Sequence, residues 1–188
     1  MAINYKEIVD DYYGGNAQML AFPVSPFYKD FYIPLEELPE STRELFSYNP
    51  EKAKKLLAEA GYPKGFKTTV TLPAQTDVVD MYSIIAGYWA DIGVDLKLDP
   101  KEWGVYKSLE LSVPPEEESI HYEMSFGYDV QFLFTDMRSH CDNIRVDDPF
   151  CNKCKSEFWA WENALNFAKQ EQVIKDYTRY VLDKAYLI

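Results

Sequence analysis

Apolar positions along this chain recur with a helical period in some stretches and alternate in others, and the two patterns interleave. Between Tyr48 and Gly61, Ala53, Leu56, Leu57 and Ala60 stand at i, i+3, i+4 and i+7, one face of a helix. Asn49 suits its N-cap, Pro50 its first turn and Gly61 its left-handed C′ position, while Pro63 forbids continuation. Glu51/Lys55 and Lys55/Glu59 are spaced to pair on the wet side. From Phe66 the period becomes two. Phe66, Thr68, Val70 and Leu72 alternate with Lys67, Thr69 and Thr71, which predicts a half-buried strand. Val78, Tyr82, Ile85, Trp89 and Ile92 restore the helical spacing up to Gly93, and Met81, Ile84 and Tyr88 widen the stripe, so much of this helix is expected to be covered. Val94, Leu96 and Leu98 alternate with Asp95 and Lys97 as a second strand.

Strand, helix and strand joined by short connections form a βαβ unit, with parallel strands and a right-handed crossover. A further helix is predicted from about Glu102 to Leu111 on Trp103, Tyr106 and Leu109. Beyond it lies a proline-broken polar loop over 112–119. Ile120, Tyr122, Met124 and Phe126 then alternate as a third strand. The centre of the chain therefore reads β-α-β-α-β, and the fold class expected is α/β: a small mixed sheet with helices packed on it. Outside this centre, Ile3, Ile8, Val9 and Tyr12 predict an amphipathic N-terminal helix, and Phe22 to Pro39 reads as an extended surface segment. Two helices are expected near the C-terminus, about Ser156–Ala168 and Gln170–Ala185, packing back across the sheet.

Length and charge narrow the function. With 188 residues and 47% hydrophobic content, the chain is long enough for one domain with its own core. No apolar run approaches the roughly 20 residues of a membrane span. A net charge of −12 argues against a nucleic-acid partner. There is no Gly-rich phosphate loop, no Ser/His/Asp set and no His-Glu-x-x-His, and His121 and His140 offer little general-base chemistry. An enzyme is not expected, nor a cofactor. His140, Cys141, Cys151 and Cys154 could close a tetrahedral zinc site, although adjacent His140 and Cys141 cannot both bind without a bend. Most of the aromatics, including Phe158, Trp159, Trp161 and Phe167, are expected to cover apolar surface; Trp103 and Tyr128 are kept as pocket candidates. Glu116, Glu117 and Glu118 read as a solvated loop run. Met1-Ala2-Ile3-Asn4 is expected to lead straight into a helix, with no signal peptide, and Tyr186-Leu187-Ile188 is an apolar run with neither a C-cap nor a polar tail. Both ends are expected to bound an excised piece of a longer protein; the alternative is a naturally short chain with a docked C-terminal strand.

Several of these residues carry a family resemblance. Ala2-Ile3-Asn4-Tyr5-Lys6-Glu7-Ile8-Val9, Tyr13-Gly14-Gly15-Asn16-Ala17, Pro23 and Pro26, and the run Tyr48-Asn49-Pro50-Glu51-Lys52-Ala53 through Gly61-Tyr62 stand in an ordered series. Trp89, Ile92-Gly93-Val94 and Glu102-Trp103 continue it. In this order they resemble the distal lobe of the peptide/nickel-type (family 5) extracellular solute-binding proteins of ABC transporters, over about residues 2–126. The resemblance implies one lobe, spanning 1–188, of a type II periplasmic-binding-protein-like receptor. Such a receptor sits at the extracellular face of the membrane or in the periplasm, commonly as a lipoprotein. It closes on a peptide or similar solute and delivers it to a membrane permease.

In peptide-binding relatives an aspartate three residues beyond an aromatic holds the ligand's terminal amine. Phe126-Gly127-Tyr128-Asp129 has that spacing, with Phe126 where Trp is usual, so the resemblance implies Asp129 as the amine anchor. The end of a strand in an open α/β sheet is also where ligands bind. A solvated loop carboxylate is the plainer reading of Asp129. Relatives commonly continue with Asp-Pro, whereas here Val130-Gln131-Phe132 follows, which leaves oligosaccharide and nickel-chelate solutes open. In a secreted protein the cysteines read more simply as one disulfide, Cys141 to Cys154 or to Cys151, with an odd thiol left over; some relatives have a disulfide in this loop. Free thiols remain an alternative. A sensory or interaction domain with the receptor shape but no transport role is the main alternative function.

Overall fold

Strand β1 (Phe66–Pro73) is the centre of a three-stranded sheet of order β2-β1-β3, with β2 at Val94–Lys101 and β3 at Ile120–His121. The computed structural model describes residues 1–19, 24–112, 120–121, 148–150, 152 and 166–184. By its contacts the chain divides into two units, Met1–Ala17 with Phe46–Met124, and Gln18–Leu45 with Ser125–Ile188.

In the first unit, both pairings of β1 among the described residues are parallel, Phe66 facing Val94 and Val70 facing Ile120. Helix α4 (Thr76–Asp91) connects β1 to β2, and α5 (Trp103–Ser112) leads from β2 towards β3. Because β2 and β3 flank β1 on opposite sides, right-handed crossovers place α4 and α5 on opposite faces. The burial agrees. Val70 to Pro73 are buried at four successive positions, so the second half of β1 is covered on both faces, not on one as the alternation predicts. The α4 face holds the core: Val70, Leu72, Leu96 and Val78 buried, with Val79, Tyr82, Ile85, Trp89 and Leu98 packed against them. Full burial of such side chains contributes about 1.5–3 kcal/mol each. On the other face, Tyr106 of α5 is buried. Trp103 and Leu109, expected on the same apolar stripe, are exposed, because a ten-residue helix crossing one strand covers only one turn of its stripe.

Helix α3 (Pro50–Glu59) is built from its ends. The Asn49 side chain accepts from the Lys52 N–H at 3.0 Å. At the other end the Tyr62 N–H donates to the Leu57 carbonyl at 2.8 Å and the Gly61 N–H to that of Ala58 at 3.1 Å, with Gly61 at φ +95°. This is a Schellman closure. Glu51 pairs with Lys54 at 3.1 Å, not with Lys55, which reaches Glu59 at 3.7 Å. Of its apolar face only Ala53 is buried, and Leu56 is exposed. The N-terminal segment, α1 (Tyr5–Glu7) running into a π-helical turn at Ile8–Tyr12, belongs to the same unit. Tyr88 on α4 meets the Tyr48 ring at 5.9 Å, and the Met1 carbonyl accepts from the Asn49 N–H at 2.9 Å. Partial burial first, then a hydrogen bond with Glu7, pushes the Tyr88 phenol up to about 12.

The second unit corrects two expectations. Of the stretch Phe22–Pro39, the described part from Val24 onward is not an extended surface segment: Val24, Phe31, Ile33 and Leu38 are buried, and Leu35–Glu37 forms a 3₁₀ turn before α2 (Glu40–Leu45). These apolar residues are irregularly spaced around prolines, so no period betrays their burial. Phe167 does not close an earlier helix. It opens α6 (Phe167–Asp183), whose cap Asn166 accepts from the Lys169 N–H at 3.3 Å. Ile174, Tyr177, Thr178, Val181 and Leu182 form the buried stripe of α6, against which α2 packs, and the Phe167 ring meets Phe31 edge-on at 5.1 Å. The predicted helix over 156–168 otherwise lies outside the described residues, as do the strand beyond His121 and the loop over 113–119.

Candidate functional site

Parallel strands send all their C-terminal ends to one edge, and the helices that follow begin there. In the first unit that edge carries Pro73, Ala74 and the start of α4 from β1, and Lys101, Glu102 and the start of α5 from β2. The Ala74 N–H donates to the Lys101 carbonyl at 2.7 Å and ties the two exits together. Lys101 is held by Asp99 at 2.9 Å. Glu102 is the cap of α5: one carboxylate oxygen accepts from the Gly104 N–H at 2.8 Å and the Val105 N–H at 3.3 Å. Its partner in the sequence pattern, Trp103, is thereby fixed at the first helical position beside the edge. The Trp103 ring lies 6.0 Å from Tyr106, and the Lys107 ammonium stands 5.4 Å from its centroid. With 41% of its surface exposed, Trp103 still offers a face for stacking.

Among the described residues the charged groups of this edge are already engaged, Lys101 by Asp99 and Glu102 by the start of α5. It can stack, and it can present backbone groups and fixed charges to a solute. No three metal-ligating side chains converge among the described residues. A groove of about 420 Å³ elsewhere, lined by Lys67, Thr68, Thr69, Asp95 and Lys97, is open and polar. It lies on the N-terminal half of the sheet, away from the strand exits.

Of the residues singled out from sequence, Trp103 stands at the edge where ligands bind in open α/β sheets. Phe126, Tyr128 and Asp129 lie outside the described residues, as do His140, Cys141, Cys151 and Cys154. β3, the last described element before them, runs parallel to β1. Sequence reading missed the capping work of Glu102. A Glu directly before a short apolar helix was the available signal, but Ser, Thr, Asp and Asn are the usual caps. It also missed Asp148 of the second unit, which is buried, accepts from the Phe150 N–H at 2.9 Å and from the Tyr180 hydroxyl at 2.5 Å, and so fastens a helical turn to α6.

Comparison with known proteins agrees with this architecture. Heme-binding protein A of Haemophilus influenzae is 32% identical over 111 residues, 56% of this chain and 19% of that protein. The dipeptide-binding protein of Escherichia coli is 41% identical over 66 residues, 32% of this chain and 12% of its own. The structure of the ABC transporter-associated periplasmic binding protein DppA from Helicobacter pylori, in complex with peptide STSA, superposes with a TM-score of 0.70 at 21% identity, covering 98% of this chain and 35% of that one. The likeness to that structure is one of fold, and this chain spans only about a fifth to a third of the lengths of such proteins. The family model for bacterial extracellular solute-binding proteins, family 5 middle, matches residues 1–117. An α/β unit with parallel strands, short crossovers and an aromatic at the strand exits is accounted for by that match: the chain belongs to the family 5 bacterial extracellular solute-binding proteins.

Proposed function

We propose that this chain forms one lobe of a two-lobed receptor that captures a small solute, an oligopeptide, and hands it to the membrane permease of an ABC importer at the extracellular face or in the periplasm. Binding rather than catalysis is the business of the family. The observation that carries the peptide reading is the 41% identity to a dipeptide-binding protein over 66 residues. In this reading Asp129 takes the solute's terminal amine, as the resemblance implies, and Phe126, Tyr128 and Trp103 are the other candidate contacts. Closure of a second lobe by a hinge completes the site. Closure requires the solute to favour the closed state, so a lone lobe binds weakly.

Calorimetric titration of the receptor with a dipeptide, against an amine-blocked analogue, tests this. Loss of one partner of a buried charge pair costs about 2–5 kcal/mol, at least roughly thirtyfold in affinity. Asp129→Ala and the blocked peptide should each show that loss, and should not add. Equal affinity for free and blocked peptides would remove Asp129 from the role. The similarity to a heme-binding protein over 111 residues supports a second reading, a flat apolar solute stacked at Trp103. Heme binding insensitive to Asp129→Ala would favour it.

A further inference from the structure

On the side of β1 away from β3, β2 forms an edge of the sheet, and its outer side meets no strand among the described residues. Lys101 faces Pro73 across the ladder, and its carbonyl accepts from the Ala74 N–H at 2.7 Å. Alternate residues of a strand address opposite neighbours. Asp95, Lys97, Asp99 and Lys101 therefore spend their backbone groups on β1, and Leu96 and Leu98 turn theirs outward. Pro100 offers a carbonyl there but no N–H. The side chains of the four charged residues share one face, on which their signs alternate. Asp95 and Lys97 are exposed and Asp99 and Lys101 half-buried, while Leu96 on the opposite face is buried. Lys67 takes one oxygen of Asp95 and Lys101 one of Asp99, each at 2.9 Å. Lys97 makes no ion pair among the described residues.

We propose that this edge pairs with the same edge of a second copy of the chain, the two β2 strands running antiparallel about a two-fold axis at Leu98. A bare strand edge is a template for another strand, and the charges along it decide which one it accepts. With Leu98 opposite the partner's Leu98, Asp95 faces the partner's Lys101 and Lys97 faces the partner's Asp99, and the axis repeats both pairs. An axis moved to Lys97 sets Lys97 on Lys97 and Asp95 on Asp99; an axis moved to Asp99 sets Asp99 on Asp99 and Lys97 on Lys101. Both neighbouring registers join like charges, so one register is selected. In it the charged residues occupy the positions that no backbone bond crosses, with Cα atoms about 4.5 Å apart, the closest side-chain approach between antiparallel strands. The Leu98 N–H donates to the partner's Leu98 carbonyl, and the Leu96 N–H to the partner's Pro100 carbonyl. Each aspartate keeps its present lysine on one oxygen and takes the partner's on the other. The two strand-exit edges point in opposite directions, and the pairing is indifferent to which solute is carried.

Sedimentation velocity of the purified chain over a concentration series tests it. The expected result is the mass of one chain at the dilute end and of two chains at the concentrated end. Lys97→Glu and Asp99→Lys each turn two facing attractions into two repulsions, so each variant alone should associate roughly tenfold more weakly or worse. Both side chains lie on the open face of β2, and circular dichroism of each variant should match the parent. Mixing the two variants in equal amounts should restore the dimer, because in the mixed pair positions 97 and 99 again join opposite charges. A single-chain mass at every concentration, a dimer indifferent to both variants, or a mixture no more associated than its components would overturn the proposal. The first of these would leave the edge to a strand of another protein.

Discussion

Replacing Gly65 by alanine should destabilise the first unit far more than the same change at its neighbour in space, Gly93. An ideal Cβ on Gly65 would stand 1.7 Å from the Gly93 carbonyl oxygen and 2.3 Å from its carbon, with φ at +72°. A Cβ on Gly93 would meet nothing closer than 3.4 Å, so there only its φ of +88° matters. Left-handed backbone costs a residue with a Cβ about 1–2 kcal/mol. At Gly65 the clash is with backbone, which has no rotamer to turn away, so the starts of β1 and β2 must part. That breaks the pairing of Phe66 with Val94. Two lost ladder bonds at about 0.5–1.5 kcal/mol each, added to the strain, give roughly 2–5 kcal/mol. Urea unfolding followed by circular dichroism and tryptophan fluorescence measures both variants. A Gly65→Ala loss within about 0.5 kcal/mol of the Gly93→Ala loss, itself expected near 1–2 kcal/mol, would refute the close approach.

Other consequences are as direct. Leu72→Ala removes a side chain with no exposed surface and should cost about 2–5 kcal/mol, while Leu56→Ala should cost within about 0.5 kcal/mol of nothing; chemical denaturation of the pair checks the assignment of core and surface. Glu102→Ala should lose about 1 kcal/mol by uncapping α5, and Glu102→Gln, which keeps an acceptor oxygen, should lose less. The Tyr88 phenol is raised from its usual 10 to about 12, so the folded state favours the protonated form. Its stabilising share is fully present below pH 10 and disappears as pH climbs towards 12; the alkaline slope of stability against pH should flatten in Tyr88→Phe.

How much of this was legible in the sequence depended on the range of the interaction. The ends of α3 were readable because Asn49, Pro50 and Gly61 act within one turn of themselves, and the structure shows the bonds they make. β2 follows its alternation because one of its faces is open. Burial that depends on a second element was not readable. The second half of β1 is sealed on both faces by a crossover order that no single strand announces. Val24, Phe31, Ile33 and Leu38 are buried without any period. The nearness of Gly65 to Gly93 joins two turns separated by a whole helix. At the candidate site, Trp103 stood out among the aromatics as a pocket candidate, and its exposure at the strand exits needed the structure. Glu102 was seen as part of a pattern, but its capping role needed the distances. Asp129, Phe126 and Tyr128 rest on resemblance and lie outside the described residues.

Whether the receptor captures peptides by an amine on Asp129 is decided by native mass spectrometry of the receptor purified without refolding. A ladder of bound peptide masses is expected, and it should disappear in Asp129→Ala while the protein stays folded. A bare protein mass, or a sugar, metal or heme adduct indifferent to Asp129, would contradict it.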